Sequence, residues 1–577
     1  MISRILIGLF GSLVLGGNVS AQQLPVVEKR LSNGMKVLMV ERHDSPSVAG
    51  GWVAHVGSAN ERPGMTGIAH LFEHMLFKGT PVLGTKDYGK DLEIIADQER
   101  VRELMRREEA RMRQLQRRGL LEDDLLKPEN QTPEYRALEK DFKKLVEAQR
   151  EILVKNEFDR IYTSNGGSMM NAYTSMDLTA YFITVPANKL ELWMWMESER
   201  LLQPVFREFY AERDVVFEER RMRTESTPLG RLNESFWAMF WESHPYSWPT
   251  VGWPSDIPAI TKAQADDFFA TYYAPENITL ILIGDFKWQQ GLKLANRYFA
   301  RIPRGTKPVP DVVTREIKQV GEKRLNGEAD ANSQVDIMYH APAFGHPDTY
   351  ALRVLAQVLS TRTGRLYKRL IVKDKIATDT FAGAYTLKYG GIFTIGGEAA
   401  EGQTPADVEK AVLEELEKIK NEPVPVKELQ KVKNNFAAAE YRKLAHNHAI
   451  LQQLMRYEGA GRWQEINEAG PKIQAVTAAD LQRVAKKYLV KNNRNVASYT
   501  RKKGSKEDPE FAGLTASQKP MARQISSAIQ KETDVEKLEG RLKQITAGLD
   551  QAPKEQQQIM KFMQRALEKR VKELKAK

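Results

Sequence analysis

The sequence predicts an α+β fold built twice over, with a helical hairpin inserted in its first half and a helical extension at its end. Three observations predict this. Short β-branched runs bounded by Asn, Gly and Pro alternate with helix-length segments over most of the chain. Thr261, Tyr272 and Asn277 precede one strand-like run, and Thr477, Tyr488 and Asn493 precede another at a constant offset of 216, in the same helix–loop–strand order, which points to a duplicated domain. Residues 86–160 are densely charged and carry apolar residues at helical spacing.

Taken in order, Arg4, the apolar run Ile5–Leu15 and the small residues Val19-Ser20-Ala21 form the tripartite pattern of a secretory signal peptide cleaved after Ala21. The competing reading of this run is an uncleaved anchor. Residues 25–58 read as strands, with Asn33-Gly34 as a hairpin turn, Met35–Val40 and Ser47–Val56 as strands. Met65–Phe77 has the length and apolar content of a helix, with Thr66 placed to cap its start and Gly79 to close its end. In the charged insertion, Tyr135, Leu138, Phe142, Leu145 and Ile152 step by threes and fours, and Ile94, Val101, Met105, Met112 and Leu115 form a matching seam. Gly119 and Pro128–Pro133 break the two runs, giving an antiparallel helical hairpin that serves either as a lid or docking arm or as a passive surface insertion. Strand signals return over Ser164–Pro186, helices over 187–201 and 206–226, and an apolar strand over Ile278–Ile283. Pro303–Pro310 reads as a linker. The expected domains are thus 25–303 and 311–502. The segment 503–577 follows as a charged helical tail, loose at Gly504, Pro509 and Pro520 and ending in an amphipathic helix over Gln556–Lys577.

The 577 residues include no cysteine, which excludes disulfides, thiol nucleophiles, thiolate metal sites and lipid attachment together. A bound metal must therefore use His, Asp or Glu. The formal charge is +11, but basic and acidic residues alternate, and no basic stripe interleaves with aromatics. Nucleic acid is not an expected partner. No apolar run of about 18 residues follows the signal, so no stable membrane span is expected after cleavage.

The chemistry concentrates at His70-Leu71-Phe72-Glu73-His74. On a helix, His70 and His74 stand one turn apart on one face, close enough to share a metal. Glu73, rotated about 60° from His70, stands beside that metal as a general base for water. Two imidazoles and one carboxylate suit zinc with one position open, and H-x-x-E-H is the inverzincin order. A third ligand is needed, and the segment Glu212–Glu219 offers carboxylates for it: Glu212 and Glu219, seven apart, share a helix face about 20° out of line. One of them ligates and the other steadies; spacing alone leaves open which.

Several segments, in order, resemble the pitrilysin, insulin-degrading enzyme and mitochondrial processing peptidase family, in its bacterial secreted two-domain form. Gly67–Thr80 is similar to its metal helix, Asn165–Ser168 and Asn171–Ser175 to its substrate-side strand, and Glu212–Glu219 to its third-ligand helix. His244-Pro245-Tyr246 and Gly252-Trp253 are similar to a loop of its bacterial members. The resemblance spans about 25–502. It implies zinc, one per chain, on His70, His74 and Glu219. Glu73 would be the catalytic base and Glu212 the residue behind the ligands, with Asn171 and Ala172 holding a peptide as an added strand. It implies two α/β-sandwich domains facing each other across a chamber, the second without its own reaction. The implied activity is metalloendopeptidase hydrolysis of short or unfolded peptides, in the periplasm or secreted. The implied assembly is a homodimer or a pairing with a related subunit. The rival expectation is a non-catalytic scaffold or partner subunit that keeps the fold.

Two departures stand out. His74 and Glu219 are 145 positions apart, more than is usual in the family, and the charged hairpin accounts for the excess. An Arg and a Tyr that many members carry seven apart in the later domain are replaced here by Ile371 and Thr378. Among the remaining histidines, His244 is read as a substrate contact or a structural hydrogen-bonding group, and His446 and His448, two apart, make a poor metal pair. Trp193 and Trp195 are read as packing residues.

Overall fold

The computed structural model describes residues 23–121, 125, 127–502, 509–511, 514, 518–549 and 552–575. The signal-peptide reading and the linker around Gly504 fall outside these residues. Among the described residues no helix is long and apolar enough to cross a membrane.

The first half is one six-stranded sheet covered by helices. Its elements are β1 (Val27–Arg30), β2 (Lys36–Glu41), β3 (Ser47–Ala54), α1 (Ile68–Met75), α2 (Tyr88–Arg117), α3 (Pro133–Ile152) and α4 (Glu157–Ser164). They continue with β4 (Ser168–Thr174), β5 (Thr179–Pro186), α5 (Leu190–Leu202), α6 (Phe209–Arg220), α7 (Gly230–Phe240), α8 (Lys262–Tyr272), β6 (Ile278–Gly284) and α9 (Trp288–Tyr298). The strand order is β1-β2-β6-β3-β5-β4.

The second half holds β7 (Lys323–Ala329), β8 (Gln334–Ala341), α10 (Asp348–Ser360), β9 (Ala377–Thr386), β10 (Gly391–Ala399), α11 (Pro405–Asn421) and α12 (Val426–Lys443). After these come α13 (Asn447–Ala460), α14 (Glu465–Ala475), α15 (Ala478–Tyr488) and β11 (Arg494–Arg501). Its order, β7-β11-β8-β10-β9, repeats that of the first sheet without β1. In each sheet the last strand pairs parallel to one neighbour (β6 to β2, β11 to β7) and antiparallel to the other (β3, β8).

The three residues repeated at an offset of 216 have identical jobs. Thr261 and Thr477 each close a capping box at a helix start. Tyr272 and Tyr488 end those helices, and the Asn277 and Asn493 amides each donate to the carbonyl of that tyrosine, at 2.8 Å in both cases. The amide aligns the strand that follows.

Each half lends a helix to the other's sheet. In β6, Leu280 and Leu282 enter the core under the first half's own helices, while Ile281 and Ile283 pack against Leu451, Leu454 and Met455 of α13. This two-sided burial explains why β6 reads as an unbroken apolar run. Gly50 and Gly51 of β3 serve the same sandwich: a Cβ at Gly50 would meet the Trp193 ring at 2.5 Å, and one at Gly51 would meet Met455 at 2.3 Å from the opposite side. Reciprocally, Phe236 of α7 packs with Ala497 and Tyr499 of the second sheet. Helices α7 and α13 begin 217 residues apart, at Gly230 and Asn447, so they are the same element of the duplicated unit.

The hairpin is α2 against α3, sealed by Met105, Met112 and Tyr135. Its base is tied down by a wholly buried ion pair between Asp91 and Arg207, whose guanidinium also donates to the carbonyls of Thr80 and Leu83. The tail corrects the sequence reading. It is a three-helix unit, α16 (Lys519–Lys531), α17 (Val535–Gly548) and α18 (Lys554–Lys575). Its own core includes Ala522, Leu538, Phe562 and Leu567, and Pro520 lies in the first turn of α16 rather than in a linker. Charged residues dominate the segment, but apolar residues from three helices meet only in space.

Candidate metal centre

Helix α1 is shorter than the apolar segment that contains it, and it is capped differently from expectation. Gly67, at φ 93°, is the N-cap. A Cβ there would lie 2.5 Å from the Val251 carbonyl oxygen, so only glycine fits. The buried Glu61 carboxylate accepts from the backbone N–H groups of Gly67 (2.9 Å) and Ala69 (2.8 Å). Thr66 does not cap; its hydroxyl donates to Asp256 at 2.8 Å. The helix stops at Met75, before Gly79. This anchoring fixes the face that carries His70 and His74, whose ring centroids lie 5.0 Å apart.

Helix α6 crosses that face. His70, His74 and Glu219 each bring one ligand atom to within 4.8 Å of the others. Glu219 Oε2 lies 3.3 Å from His74 Nε2 and 3.7 Å from His70 Nε2. Donors around a tetrahedral zinc, each about 2.0–2.2 Å from the ion, stand about 3.3–3.6 Å apart. The donor types and spacings therefore fit zinc with little adjustment. The other oxygen of Glu219 is held by Arg223 at 2.8 Å. Just past Glu219 the helix widens into a π turn, Arg221–Glu225, which sets where Arg223 points.

Geometry resolves the choice between the two glutamates. Glu212 Oε1 accepts from His74 Nδ1 at 2.8 Å, and its Oε2 lies 2.5 Å from Lys78 Nζ. It grips the far side of the imidazole and turns Nε2 toward Glu219, as carboxylates behind metal-bound histidines do. Burial works against a charged Glu212, but the bonds to His74 and Lys78 outweigh it and bring its pKa down to about 2. Burial likewise opposes charge on His74, yet Glu212 and Glu219 hold that imidazole up at about 9. His70 is pushed down to about 4, by burial first and by His74 second, so its lone pair is free at neutral pH. Hydrogen bonding from His74 lowers Glu219.

Glu73 stands beside this group on α1. Burial raises its pKa above the ordinary carboxylate value, and the Thr174 hydroxyl donates to its Oε2 at 2.7 Å. Thr174 ends β4, the edge strand of the first sheet. The earlier residues Asn171 and Ala172 line a cavity of about 550 Å3 together with Glu73, His74, Glu212 and Glu219. All seven residues singled out from the sequence thus meet in one place. Sequence reasoning missed Thr174, Lys78 and Arg223. Lys78 is four residues from His74 and Arg223 four from Glu219, so helical spacing offered a signal for both; nothing local signalled that Thr174 would reach Glu73.

Other candidates lie elsewhere. His244 is buried, its Nδ1 accepts from the Tyr246 backbone N–H at 3.1 Å, and its ring packs on Tyr246, which makes it structural. His446 precedes α13 and His448 packs against Phe182. Ile371 sits in a π turn against the second core, and the Thr378 hydroxyl donates to Glu398 at 2.7 Å.

Known proteins resemble the chain along most of its length. Residues 36–96 match the family model described as insulinase (peptidase family M16), and residues 259–436 match the peptidase M16 inactive domain. The zinc protease PqqE of Helicobacter pylori is 27% identical over 495 residues, covering 84% of this chain and 96% of that protein. The crystal structure of a protease from Helicobacter pylori superposes with a TM-score of 0.67 at 24% identity, over 83% of this chain and all of the other. A peptidase M16 inactive domain from Pseudomonas fluorescens gives 0.64 at 18% identity, over 84% of this chain and all of the other. These matches support the pitrilysin–insulinase (M16) family, and the first half carries the H-x-x-E-H segment while the second does not.

Proposed function

We propose that this chain is a zinc-dependent metalloendopeptidase acting on short or unfolded peptides outside the cytoplasm. One observation carries the reading: two imidazoles one helical turn apart and a carboxylate from a helix 145 positions away converge within 4.8 Å, with Glu73 alongside. The relatives named zinc proteases support it. Export rests on the signal-like pattern of the first 21 residues.

His70, His74 and Glu219 would hold the ion, with Glu212 fixing the His74 tautomer. Bound there, zinc would supply a Lewis acid and acidify a water at its open position. A peptide would add to the exposed edge of β4, its backbone pairing with the strand beside Asn171 and Ala172. Such pairing requires an extended chain, which a folded protein does not offer. Glu73 would take the proton of the attacking water at its carboxylate and pass it to the leaving amine. Its burial favours the first of these steps, because a carboxylate with a raised pKa takes up a proton more readily, and Thr174 holds one of its two oxygens.

The test is Glu73→Gln in the full chain. Cleavage of a quenched peptide should fall to background while bound zinc, measured by elemental analysis, stays at the level of the unaltered protein. Full cleavage by that variant would refute the assignment.

A further inference from the structure

The hairpin insertion reaches the metal centre from behind. Helix α6, which carries Glu212 and Glu219, has little of its own to hold it in place. Its N-cap, Glu208, sits at φ 52° with no side-chain capping bond, and its end runs into the π turn Arg221–Glu225. Neither end fixes the helix along its axis, so lateral contacts must do so. The requirement is strict: a slide by one residue is about 1.5 Å, whereas zinc–ligand distances tolerate about 0.2 Å either way.

Tyr210 lies two residues before Glu212, about 200° around the helix from it, and so on the side of α6 away from α1. It is buried there, and α2 grips it with three residues spaced three and four apart on one face, Glu99, Arg102 and Arg106. The Tyr210 hydroxyl donates to Glu99 Oε1 at 2.7 Å and accepts from Arg106 Nη1 at 3.2 Å. The Arg102 guanidinium lies over the ring at 4.8 Å, and Phe142 of α3 meets it edge-on at 5.6 Å. At the hairpin base, Arg207, one residue before the N-cap of α6, joins Asp91 of α2 to the carbonyls of Thr80 and Leu83, which follow α1. The insertion is therefore bonded to the loop leaving α1 and to both the start and the back of α6. Hydrogen bonds are directional, so this grip resists sliding and rotation of α6 in a way that apolar packing alone would not.

We propose that the hairpin is a brace for the metal centre, with Tyr210 as a positioning residue that carries the hold of Glu99 and Arg106 through α6 to Glu212 and Glu219. The brace rests on the zinc reading and goes beyond it: a segment that could be a passive insertion sets how tightly the ion is held.

The experiment measures zinc affinity of the full chain by competition with a fluorescent chelator, for the unaltered protein, Tyr210→Phe, Glu99→Ala and the double variant. Tyr210→Phe keeps the ring and its stacking and removes only the hydroxyl, so the chain should fold. Its zinc affinity should fall about three- to tenfold, while the thermal unfolding midpoint of the metal-free protein stays at that of the unaltered chain. Because the two residues act through one hydrogen bond, the double variant should lose less than the product of the two single losses. Zinc affinity unchanged in Tyr210→Phe, or single losses that multiply in full, would overturn the brace and leave the zinc reading standing. A loss of affinity matched by an equal loss of metal-free stability would make Tyr210 merely structural and overturn the brace as well. An unaltered chain that binds no zinc would overturn both.

Discussion

Replacing Glu212 by Gln separates a residue that binds the metal from one that positions a ligand. In the structure one carboxylate serves two cations: Oε1 is 2.8 Å from His74 Nδ1 and Oε2 2.5 Å from Lys78 Nζ. A glutamine side chain has the same shape but cannot satisfy both. With its oxygen toward His74, its NH2 faces the Lys78 ammonium; flipped, its NH2 faces the Nδ1–H. One charge-assisted hydrogen bond is lost in either pose, about 1.5–3 kcal/mol. That corresponds to roughly 10–100-fold in zinc affinity, the range found for partners behind metal ligands. Lys78 retains Glu208 at 3.3 Å, so the fold around α1 should persist. The assay is competition between the full chain and a fluorescent zinc chelator, run for the unaltered protein, Glu212→Gln and Glu219→Gln. Glu212→Gln should weaken zinc by the stated range and Glu219→Gln by far more. Equal losses would make Glu212 a direct ligand, and an unchanged affinity in Glu212→Gln would remove its positioning role; either result refutes the reasoning.

Thr174→Val keeps volume but removes the hydroxyl that donates to Glu73. It should lower kcat about tenfold with little change in KM or zinc content, and an equal change in KM would mean that the residue acts on peptide binding instead. Arg207→Ala leaves Asp91 as a buried unpaired charge at the base of the hairpin. It should cost about 3–5 kcal/mol, read by denaturant unfolding, with part of the loss recovered in the Asp91→Leu, Arg207→Met double variant. His55, His244 and His340 are each pushed down to about 4 by burial, whereas the unfolded chain titrates them near the ordinary imidazole value of 6.5. Between pH 6.5 and 4 the unfolded state therefore binds more protons, so these three destabilise the fold as pH falls through that window and have no effect above it. Thermal unfolding midpoints from pH 7.5 to 4 should drop accordingly, and His340→Leu should flatten the slope.

The comparison of sequence with structure divides along sequence distance. His70 and His74 were legible because a helix turns local spacing into shared direction, whatever the rest of the chain does. Thr261, Asn277 and their counterparts Thr477 and Asn493 were legible as a repeat, and the structure shows that each pair does the same local job. The matching order of elements then announced the duplication. The hairpin was visible because its two seams face each other across a short break.

Contacts between distant segments were not written in any local pattern. Only the folded chain shows that Glu61 caps α1, that Thr174 meets Glu73, and that Arg207 neutralises Asp91. Only it shows that α7 and α13 each cover the other half's sheet. Spacing put Glu212 and Glu219 on one face and could go no further, because both are seven residues apart on the same helix and chemically identical. The angle at which α6 crosses α1 sends one carboxylate to the metal side of His74 and the other to its back. That angle is a property of packed side chains, and so it belonged to the tertiary structure alone.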